Sequence, residues 1–384
     1  MSTAKPSTSR RARRTASKRS SSAESLSTQA AAGTPAPRRS KRSARGDSGP
    51  YRIEAPKRLA LAAPQLVELY RYMRLNRSVD ERLGILYRQG QVVGGLYSSL
   101  GQEATSVGSA YALEDGDFLA PMIRNLGSYL VRGVSARDFM GQYLARECGP
   151  TRGRDASAHF GYIDKGLISC ISMLGALIPV MVGVAMTMKH RKQRNVSLTY
   201  IGDGGTSTTD FHEGLNLAAV QRAPFILVAE NNLWAYSTHV SRQFPTDDIA
   251  DKAPAYGIYG EIVDGNNVLA VYDAARRARE MCVAGEGPVL LEAKTFRRKG
   301  HAEHDPAGYV PEKMRAEWEA RDPLDAYRRF LVDEQVLAAK DIEEIDRGIT
   351  KQLDDDTRAV LDSPFPEAAS AAGNVYGNND GGSR

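Results

Sequence analysis

Two short apolar runs, separated by a helical pattern, mark the centre of the chain. Residues 196–201 and 225–229 have the length and composition of buried strands. Between them, apolar positions fall on one face of a helix that Asp210 can begin and Pro224 must end. The residues on that face are Phe211, Leu215 and Ala218. A strand, a helix and a strand of this length predict a right-handed crossover between two parallel strands.

Further elements of the same kinds flank this crossover. Strand patterns cover 261–263 and 289–293, and helical patterns cover 64–89, 102–113, 178–188, 312–330 and 339–361. This order predicts an α/β fold with a mostly parallel sheet and helices on both faces. Additional helical segments are expected at the N- and C-terminal sides of that sheet.

Oxygen-bearing side chains follow both central strands at the point where each strand ends. The tripeptide Gly-Asp-Gly at 202–204 comes after the first strand, and Glu-Asn-Asn at 230–232 ends the second. If the strands are neighbours, Asp203 and Asn232 lie at the carboxyl edge of the sheet, where open α/β sheets bind ligands. A carboxylate, a carboxamide and nearby carbonyl oxygens suit Mg²⁺, whose coordination shell phosphate oxygens commonly complete.

The glycines of this turn indicate a diphosphate. Gly204 and Gly205 let the backbone approach a phosphate closely, and the N-terminus of the following helix favours an anion. The turn is not a dinucleotide fingerprint, because Ser207 stands where the third glycine belongs, and no Gly-Lys-Ser/Thr loop occurs there. The alternative interpretation is a strand-to-helix turn that simply needs glycines, followed by an Asn-Asn turn.

The two motifs at this separation resemble the signature of thiamine diphosphate (ThDP) enzymes. From about Tyr70 to Phe330, the sequence is similar to the α subunit of 2-oxo acid dehydrogenase E1 components, of the pyruvate and branched-chain 2-oxo acid types. The matching segments, in the family's order, are 100–104 (Leu-Gly-Gln-Glu-Ala), 263–266 (Val-Asp-Gly-Asn), 295–297 (Thr-Phe-Arg) and 300–301 (Gly-His). The resemblance implies the ThDP-binding fold.

The resemblance also implies the magnesium ligands. In the family, the acidic residue of Gly-Asp-Gly, the second asparagine and a backbone carbonyl two residues later hold Mg²⁺. These positions correspond to Asp203, Asn232 and Trp234 here. The family usually has tyrosine at the last position, and tryptophan is compatible because its backbone oxygen is the ligand.

Two arginines match positions that bind the diphosphate in the family. They are Arg124 and Arg297, and a guanidinium forms paired, charge-assisted hydrogen bonds with phosphate oxygens. Ile123 departs from the family, which often has tyrosine there, so Arg124 is expected to carry more of the anchoring. The alternative for either arginine is an ordinary surface or ion-pair role.

Ser172 and Leu174 correspond to residues around the aminopyrimidine ring of the cofactor in the family. The leucine position supports the bent cofactor and contributes a backbone contact. The alternative is a loop packed beneath the apolar helix at 178–188. His159 also matches a family histidine, without a defined role here.

His301 is the predicted catalytic residue. It lies in a polar segment, 297–306, that follows a strand, and a histidine beside a diphosphate can stabilise an anion or move a proton. The matching family histidine lies near the thiazolium ring and assists acyl transfer to lipoyl groups. A His-x-x-His metal site with His304 lacks a third ligand nearby. Some family members carry a regulatory serine at the next position, and Ala302 excludes phosphorylation there.

The resemblance implies that this chain forms half of an active site. The glutamate that contacts the aminopyrimidine ring comes from the β subunit in the family, and Glu103 matches a structural position instead. We therefore expect an α2β2 heterotetramer with an E1 β subunit, a lipoyl-bearing E2 partner, and a small 2-oxo acid substrate. The open alternatives are the α subunit of an acetoin dehydrogenase and a catalytically silent scaffold paralogue.

The N-terminal fifty residues differ in composition from the rest of the chain. They hold 12 Lys and Arg residues against Glu24 and Asp47, whereas residues 51–384 hold 39 basic and 44 acidic residues. We predict a disordered basic tail at 1–55, a single ThDP-binding domain at 56–365 and a loose C-terminal tail at 366–384. The basic tail could be a solvated arm, a contact arm for an acidic partner or a mitochondrial transit peptide.

Composition also limits location and partners. No stretch resembles a membrane span or a secretory signal, and Cys148, Cys170 and Cys282 are few and unpatterned, as in a reducing compartment. The family implies a bacterial cytoplasm or, in a eukaryote, the mitochondrial matrix. We expect no membrane partner and no nucleic-acid partner for the fold, because the excess of basic residues lies in the tail.

Overall fold

The computed structural model describes residues 51–373 and the backbone of Arg38–Arg39. Most of the predicted basic tail and half of the predicted C-terminal tail lie outside the described residues. The helices are α1 (Ala63–Arg88), α2 (Glu103–Tyr111), α3 (Leu126–Val131), α4 (Ala136–Tyr143), α5 (Leu177–His190), α6 (Thr209–Gln221), α7 (Val268–Val283), α8 (Glu312–Glu319), α9 (Pro323–Asp333) and α10 (Ala339–Asp362). The strands are β1 (Arg38–Arg39), β2 (Phe118–Ala120), β3 (Ser197–Gly202), β4 (Phe225–Asn231), β5 (Trp234–Ala235), β6 (Thr238–His239), β7 (Tyr259–Asp264) and β8 (Val289–Lys294).

Six strands form one sheet in the order β1-β7-β8-β4-β3-β2, and each neighbouring pair is parallel. Strands β3 and β4 are neighbours joined by α6, which is the predicted crossover. Gly202 pairs with Glu230, and Asn231 pairs with Lys294, so three strands end together at one edge of the sheet. The short strands β5 and β6 form an antiparallel pair just after β4. The predicted α/β fold is confirmed.

Strand β4 lies in the middle of the molecule and is buried on both faces. Ile226 and Val228 pack into one core with α1, α3, α4 and α7, whereas Phe225, Leu227 and Ala229 pack into a second core with α5 and α6. Side chains alternate between the two faces of a strand, so a strand covered by helices on both sides is apolar throughout. This burial explains why its sequence shows a continuous apolar run.

Helices α9 and α10 pack with α1 in a third core. Leu69 and Met73 of α1 pack with Tyr327 and Leu331 of α9 and with Ile345 of α10. The helical segments predicted at either side of the sheet therefore contact each other. In the part of the chain that the structure describes, no helix is both long and apolar enough to cross a membrane.

Two helix boundaries differ from the sequence predictions. The pattern over 312–330 forms two helices, α8 and α9, because Pro323 has no N–H to donate and readily begins a helix. The side chain of Asp322 caps α9 by accepting two backbone N–H groups of its first turn. Similarly, Thr208 caps α6, and Asp210 lies in its first turn rather than at its start.

Candidate active site

Asp203 follows β3 directly and opens a 3₁₀ turn, Asp203–Ser207, that leads to α6. The residue is only 1% exposed. Burial raises the pKa of its carboxyl group, and a hydrogen bond from Gln243 partly opposes that rise. Gln243 Nε2 donates to Asp203 Oδ2 over 2.6 Å. One carboxylate oxygen is therefore held by the protein, while the other faces the residue beyond the end of β4.

Three oxygen atoms converge at this point. Asn232 Oδ1 lies 3.1 Å from Asp203 Oδ1 and 3.1 Å from the Trp234 carbonyl oxygen, and all three are acceptors. Turning the Asn232 amide over would let its nitrogen donate to both, and turning the Gln102 amide as well would bring the unpartnered Gln102 Nε2 to the Asn232 oxygen. As placed, Asn232 Nδ2 donates to Gln102 Oε1. A cation would satisfy the three oxygens, so the residues present fit the predicted Mg²⁺ site.

The backbone between β4 and β5 presents the third oxygen. Leu233 takes a left-handed conformation with φ at 75°, which turns the chain immediately before Trp234. The Trp234 ring is buried between His239 and Tyr309, with ring centroids 5.1 and 5.3 Å away. Within residues 51–373, no group of three His, Cys, Asp or Glu side chains could hold a metal. A cation at Asp203 would therefore need ligands of another kind, such as a carbonyl and a carboxamide oxygen.

The two glycines after Asp203 are fixed by packing. A Cβ atom at Gly204 would lie 2.5 Å from Ala235 Cβ, and one at Gly205 would collide with Ile201. Leu174 is the next neighbour of Gly205, at 3.8 Å from the same Cβ position. The structure therefore gives both glycines a role within the protein, and their predicted approach to a phosphate stays a prediction.

Arg297 reaches the oxygen cluster from the loop after β8. It is 3% exposed, and its Nη1 donates to the Trp234 carbonyl over 3.4 Å. Its Nη2 donates to the Tyr236 carbonyl over 2.8 Å and to the Tyr309 hydroxyl over 2.7 Å. Burial lowers the pKa of Arg297, and Asp203 is among the groups that oppose that shift. This guanidinium therefore adds positive charge beside the three oxygens.

Arg124 approaches from the turn between β2 and α3. Its Nη1 donates to the Ser98 carbonyl over 2.9 Å, and its Nη2 contacts the carbonyl oxygen of His301. Burial and the charge of Arg297 lower its pKa to about 10, so it stays protonated at neutral pH. The structure thus brings together both predicted arginines and the predicted catalytic histidine.

The imidazole of His301 lies between two tyrosine rings. The Tyr97 centroid is 5.5 Å away in an edge arrangement, and the Tyr236 centroid is 4.7 Å away. Burial, then Arg124 and Arg297, lower the pKa of His301 to about 4. The ring is consequently neutral at physiological pH. Its Nδ1 faces Arg124 Nη2 at 3.5 Å, and because arginine only donates, the proton belongs on Nε2.

Asp305 organises the turn that carries this histidine, and sequence reasoning missed it. Its Oδ2 accepts from the backbone N–H of His301 over 2.6 Å and from the Tyr309 hydroxyl over 2.7 Å, and its Oδ1 accepts from Ala307 N–H over 2.9 Å. Burial alone would raise the pKa of Asp305, but these donors and Arg297 lower it to about 2. An aspartate followed by proline in a polar loop was the available signal.

The predicted aminopyrimidine residues lie on a separate loop before α5. Ser172 Oγ is 2.8 Å from His159 Nε2, and His159 Nδ1 is 3.1 Å from Asp155 Oδ1. Leu174 is 48% exposed, although it lies beside Gly205. The structure therefore places Leu174 of this loop near Gly205 and leaves the side chains of Ser172 and Leu174 accessible on this chain.

The sequence also matches a known protein family over most of its length. A family model described as the dehydrogenase E1 component matches residues 70–369. The chain belongs to this family. The E1 family uses ThDP, and the predicted fold and cofactor class are confirmed on that basis.

Similar proteins include α subunits that act on three different substrates. The α subunit of acetoin:2,6-dichlorophenolindophenol oxidoreductase of Bacillus subtilis (strain 168) is 32% identical over 319 residues, or 83% of this chain and 95% of that one. The 2-oxoisovalerate dehydrogenase α subunit of the same organism is 33% identical over 83% of this chain and 97% of its own length. The pyruvate dehydrogenase E1 α subunit of Bacillus cereus is 39% identical over 78% of both chains. This chain is therefore an E1 α subunit of the 2-oxo acid dehydrogenase type.

The E1 α site contains a second buried carboxylate that sequence reasoning did not single out. Glu230, at the end of β4, is 2% exposed and accepts from Asn125 Nδ2 over 2.7 Å. Burial raises its pKa to about 7, against the effects of Asn125 and Arg124. Its position directly before Asn-Asn, within an apolar strand, was the available signal.

Glu103 has the structural role that the sequence analysis expected. It is fully buried and forms an ion pair with Arg77 over 2.5 Å, and it accepts from Gly101 N–H over 3.0 Å. Arg77 also contacts Asp322, which in turn pairs with Arg298 over 2.6 Å. This buried chain of charges links the loop after β8 to α1, α2 and the start of α9.

Proposed function

We propose that this E1 α subunit provides the Mg²⁺- and diphosphate-binding half of a ThDP site. A β-type subunit would complete that site for the oxidative decarboxylation of a 2-oxo acid and transfer of the acyl group to a lipoyl-bearing E2. The observation that carries the proposal is that the Asp203 carboxylate, the Asn232 carboxamide and the Trp234 carbonyl meet at the strand ends, with Asp203 Oδ1 and the Trp234 oxygen each 3.1 Å from the same Asn232 amide atom.

Each group at the strand ends has a distinct task in this proposal. Asp203 Oδ1, Asn232 Oδ1 and the Trp234 carbonyl oxygen would hold Mg²⁺, while Gln243 keeps the other Asp203 oxygen turned away. Arg297 lies against the Trp234 carbonyl and would bind the diphosphate with charge-assisted hydrogen bonds. Bound ThDP supplies the electron sink that decarboxylation of a 2-oxo acid needs.

His301 would act as a neutral imidazole. Burial and the charges of two arginines keep its pKa low, and Arg124 occupies its Nδ1 side, so Nε2–H is the group it can present to a reacting oxygen or sulfur. Its flanking tyrosines limit the orientations of the ring and exclude water from part of its surface. These properties support a role in acyl transfer rather than in holding the metal.

The accessible side chains near the glycine turn support a two-subunit site. Leu174 and its neighbour Met173 are 48% and 65% exposed, although they precede a buried helix. Large apolar side chains at the mouth of a site mark a surface that a partner can cover. We propose that the E1 β subunit covers this loop and supplies the carboxylate for the aminopyrimidine ring, in a heterotetramer of two α and two β subunits.

The test is calorimetry of ThDP binding to the chain co-expressed with its β-type partner, with and without Mg²⁺. Mg²⁺-dependent binding that requires the partner would support the half-site, whereas absence of binding in the complex would favour a silent scaffold. Decarboxylation of pyruvate and 2-oxoisovalerate, and cleavage of acetoin, are then measured on the same sample. The acetoin assay is included because an acetoin-type relative matches 83% of this chain.

A further inference from the structure

The loop after β8 carries two residues of the proposed site, and one acidic side chain attaches it to helix α1. We propose that Glu303 is a positioning residue for His301, acting through an ion pair with Arg88. Glu303 Oε1 lies 2.7 Å from Arg88 Nη1. The inference rests on the proposed function only in giving His301 its catalytic role, since the attachment itself is a property of the fold.

The side chain of Glu303 is buried at a position that accommodates a carboxylate. Its side chain is 7% exposed, whereas that of Arg88 is 60% exposed, so the acid is buried and its partner reaches it from solvent. The backbone N–H of Glu303 donates to the Leu96 carbonyl over 2.9 Å. A Cβ atom at Gly84, one helical turn before Arg88, would lie 3.4 Å from Glu303 Oε1. Glycine at that position of α1 therefore leaves room for the acidic side chain.

A second cation faces the same carboxylate. Lys299 Nζ lies 3.8 Å from Glu303 Oε1 and is 47% exposed. The carboxylate therefore has two cationic neighbours, one on α1 and one on its own loop. A buried carboxylate with such partners is stabilised by charge as well as by shape, and it becomes costly once its main partner is removed.

The geometry connects this contact to the catalytic ring. Glu303 is two residues from His301, and the His301 N–H is held on the other side by Asp305. Upstream, Arg298 N–H donates to the Leu100 carbonyl over 3.2 Å. Of these attachments, the Arg88 contact joins the turn to the last residue of the 26-residue helix α1. Its loss would let the turn move, and displacements of about 1 Å can cost about 100-fold in rate.

The test compares Glu303→Gln, Arg88→Met and Arg88→Lys in the full-length chain, alone and co-expressed with its β-type partner. Trypsin cleavage after Lys299 reports the opening of the turn without requiring bound cofactor. We expect cleavage to be at least about fivefold faster for Glu303→Gln and Arg88→Met, and close to wild type for Arg88→Lys, which restores the charge. Raising NaCl from about 0.05 to 0.5 M should accelerate cleavage of wild type but not of Arg88→Met.

Arg82→Met is the matched control, because Arg82 lies on the same helix and pairs with Asp354 of α10 over 2.5 Å. If it accelerates cleavage as much as Arg88→Met, the effect belongs to helix stability and the proposal is overturned. Unchanged cleavage in Arg88→Met, which alters an exposed residue, would overturn it even if Glu303→Gln folds poorly.

In the active complex, the two neutral variants should lower kcat about tenfold with KM within about twofold. If the two neutral variants are cleaved faster but the wild-type complex binds no ThDP, the Glu303–Arg88 attachment is supported and the proposed enzyme function is not.

Discussion

The two halves of the site are built in different ways. The oxygen cluster lies at the ends of β3 and β4, so the sheet register that pairs Gly202 with Glu230 sets the separation of Asp203 and Asn232. The His301 turn belongs to a long loop whose position depends on ion pairs with α1 and with Asp322 at the start of α9, and on two backbone hydrogen bonds to the segment 96–100. Sheet geometry thus fixes the first half, whereas ion pairs of individual side chains, together with a few loop hydrogen bonds, fix the second.

This difference decides how each half should respond to substitution. Loss of one proposed Mg²⁺-ligating side chain at the strand ends should remove ThDP binding while leaving the fold intact, because the sheet does not depend on that side chain. Loss of a side chain in the His301 turn should leave ThDP binding unchanged and lower the turnover rate. The four predictions below follow this division, beginning with the largest expected effect.

Asp203→Ala should abolish Mg²⁺-dependent ThDP binding in the α/β complex, because it removes the only carboxylate among the three converging oxygens. Calorimetry should show at least about a 100-fold loss of affinity, equivalent to about 2.7 kcal/mol. Asp247→Ala removes the same charge at an exposed position and serves as the control. If Asp203→Ala retains Mg²⁺-dependent affinity for ThDP, Asp203 is not a magnesium ligand.

His301→Ala should bind ThDP and Mg²⁺ normally and lower kcat by about 10² to 10⁴, the range for loss of a proton-transfer group. His304→Ala, three residues away and exposed, should retain near-normal turnover. Binding is measured by calorimetry and turnover by lipoyl-dependent acyl transfer. Near-normal turnover in His301→Ala would contradict its catalytic role. Loss of ThDP binding in this variant would show that the oxygen cluster and the His301 turn are not independent.

Gly204→Ala should destabilise the fold by about 1–3 kcal/mol, because its new Cβ would approach Ala235 Cβ within 2.5 Å. The double variant Gly204→Ala with Ala235→Gly removes that collision. Denaturant unfolding of both variants measures the recovery of stability. If stability returns but ThDP affinity does not, glycine is also required for the approach of a phosphate; full recovery of both would leave packing as its role.

The smallest predicted effect concerns stability at acid pH. The pKa of His301 falls from 6.5 to about 4 on folding, so between these values the unfolded chain binds a proton that the folded chain does not. Stability must therefore decrease as pH falls through this window. Between pH 7 and 4.5, the melting temperature of His301→Asn should fall less than that of wild type. An equal fall in the melting temperatures of wild type and His301→Asn would contradict the low pKa of His301.

The same division explains what could be predicted from the sequence. Asp203 and Asn232 were predictable because each follows an apolar strand of the right length, and a parallel crossover brings strand ends together. The role of Glu303 was not predictable, because it depends on where the loop meets α1. For Asp305, the Asp-Pro pair predicted a turn but not which backbone N–H groups the carboxylate would bind. The break between α8 and α9 was missed because helical periodicity outweighed Pro323, although proline is a strong local signal.

Arg124 and Arg297 place two buried positive charges close together in the protein without its cofactor. Both are buried, and the charge of each lowers the pKa of the other or of His301 beside them. If the diphosphate binds these two side chains as proposed, it would relieve their repulsion, so ligand affinity and thermal stability would be linked through the same two side chains. On that proposal, the form that lacks cofactor is the less stable one.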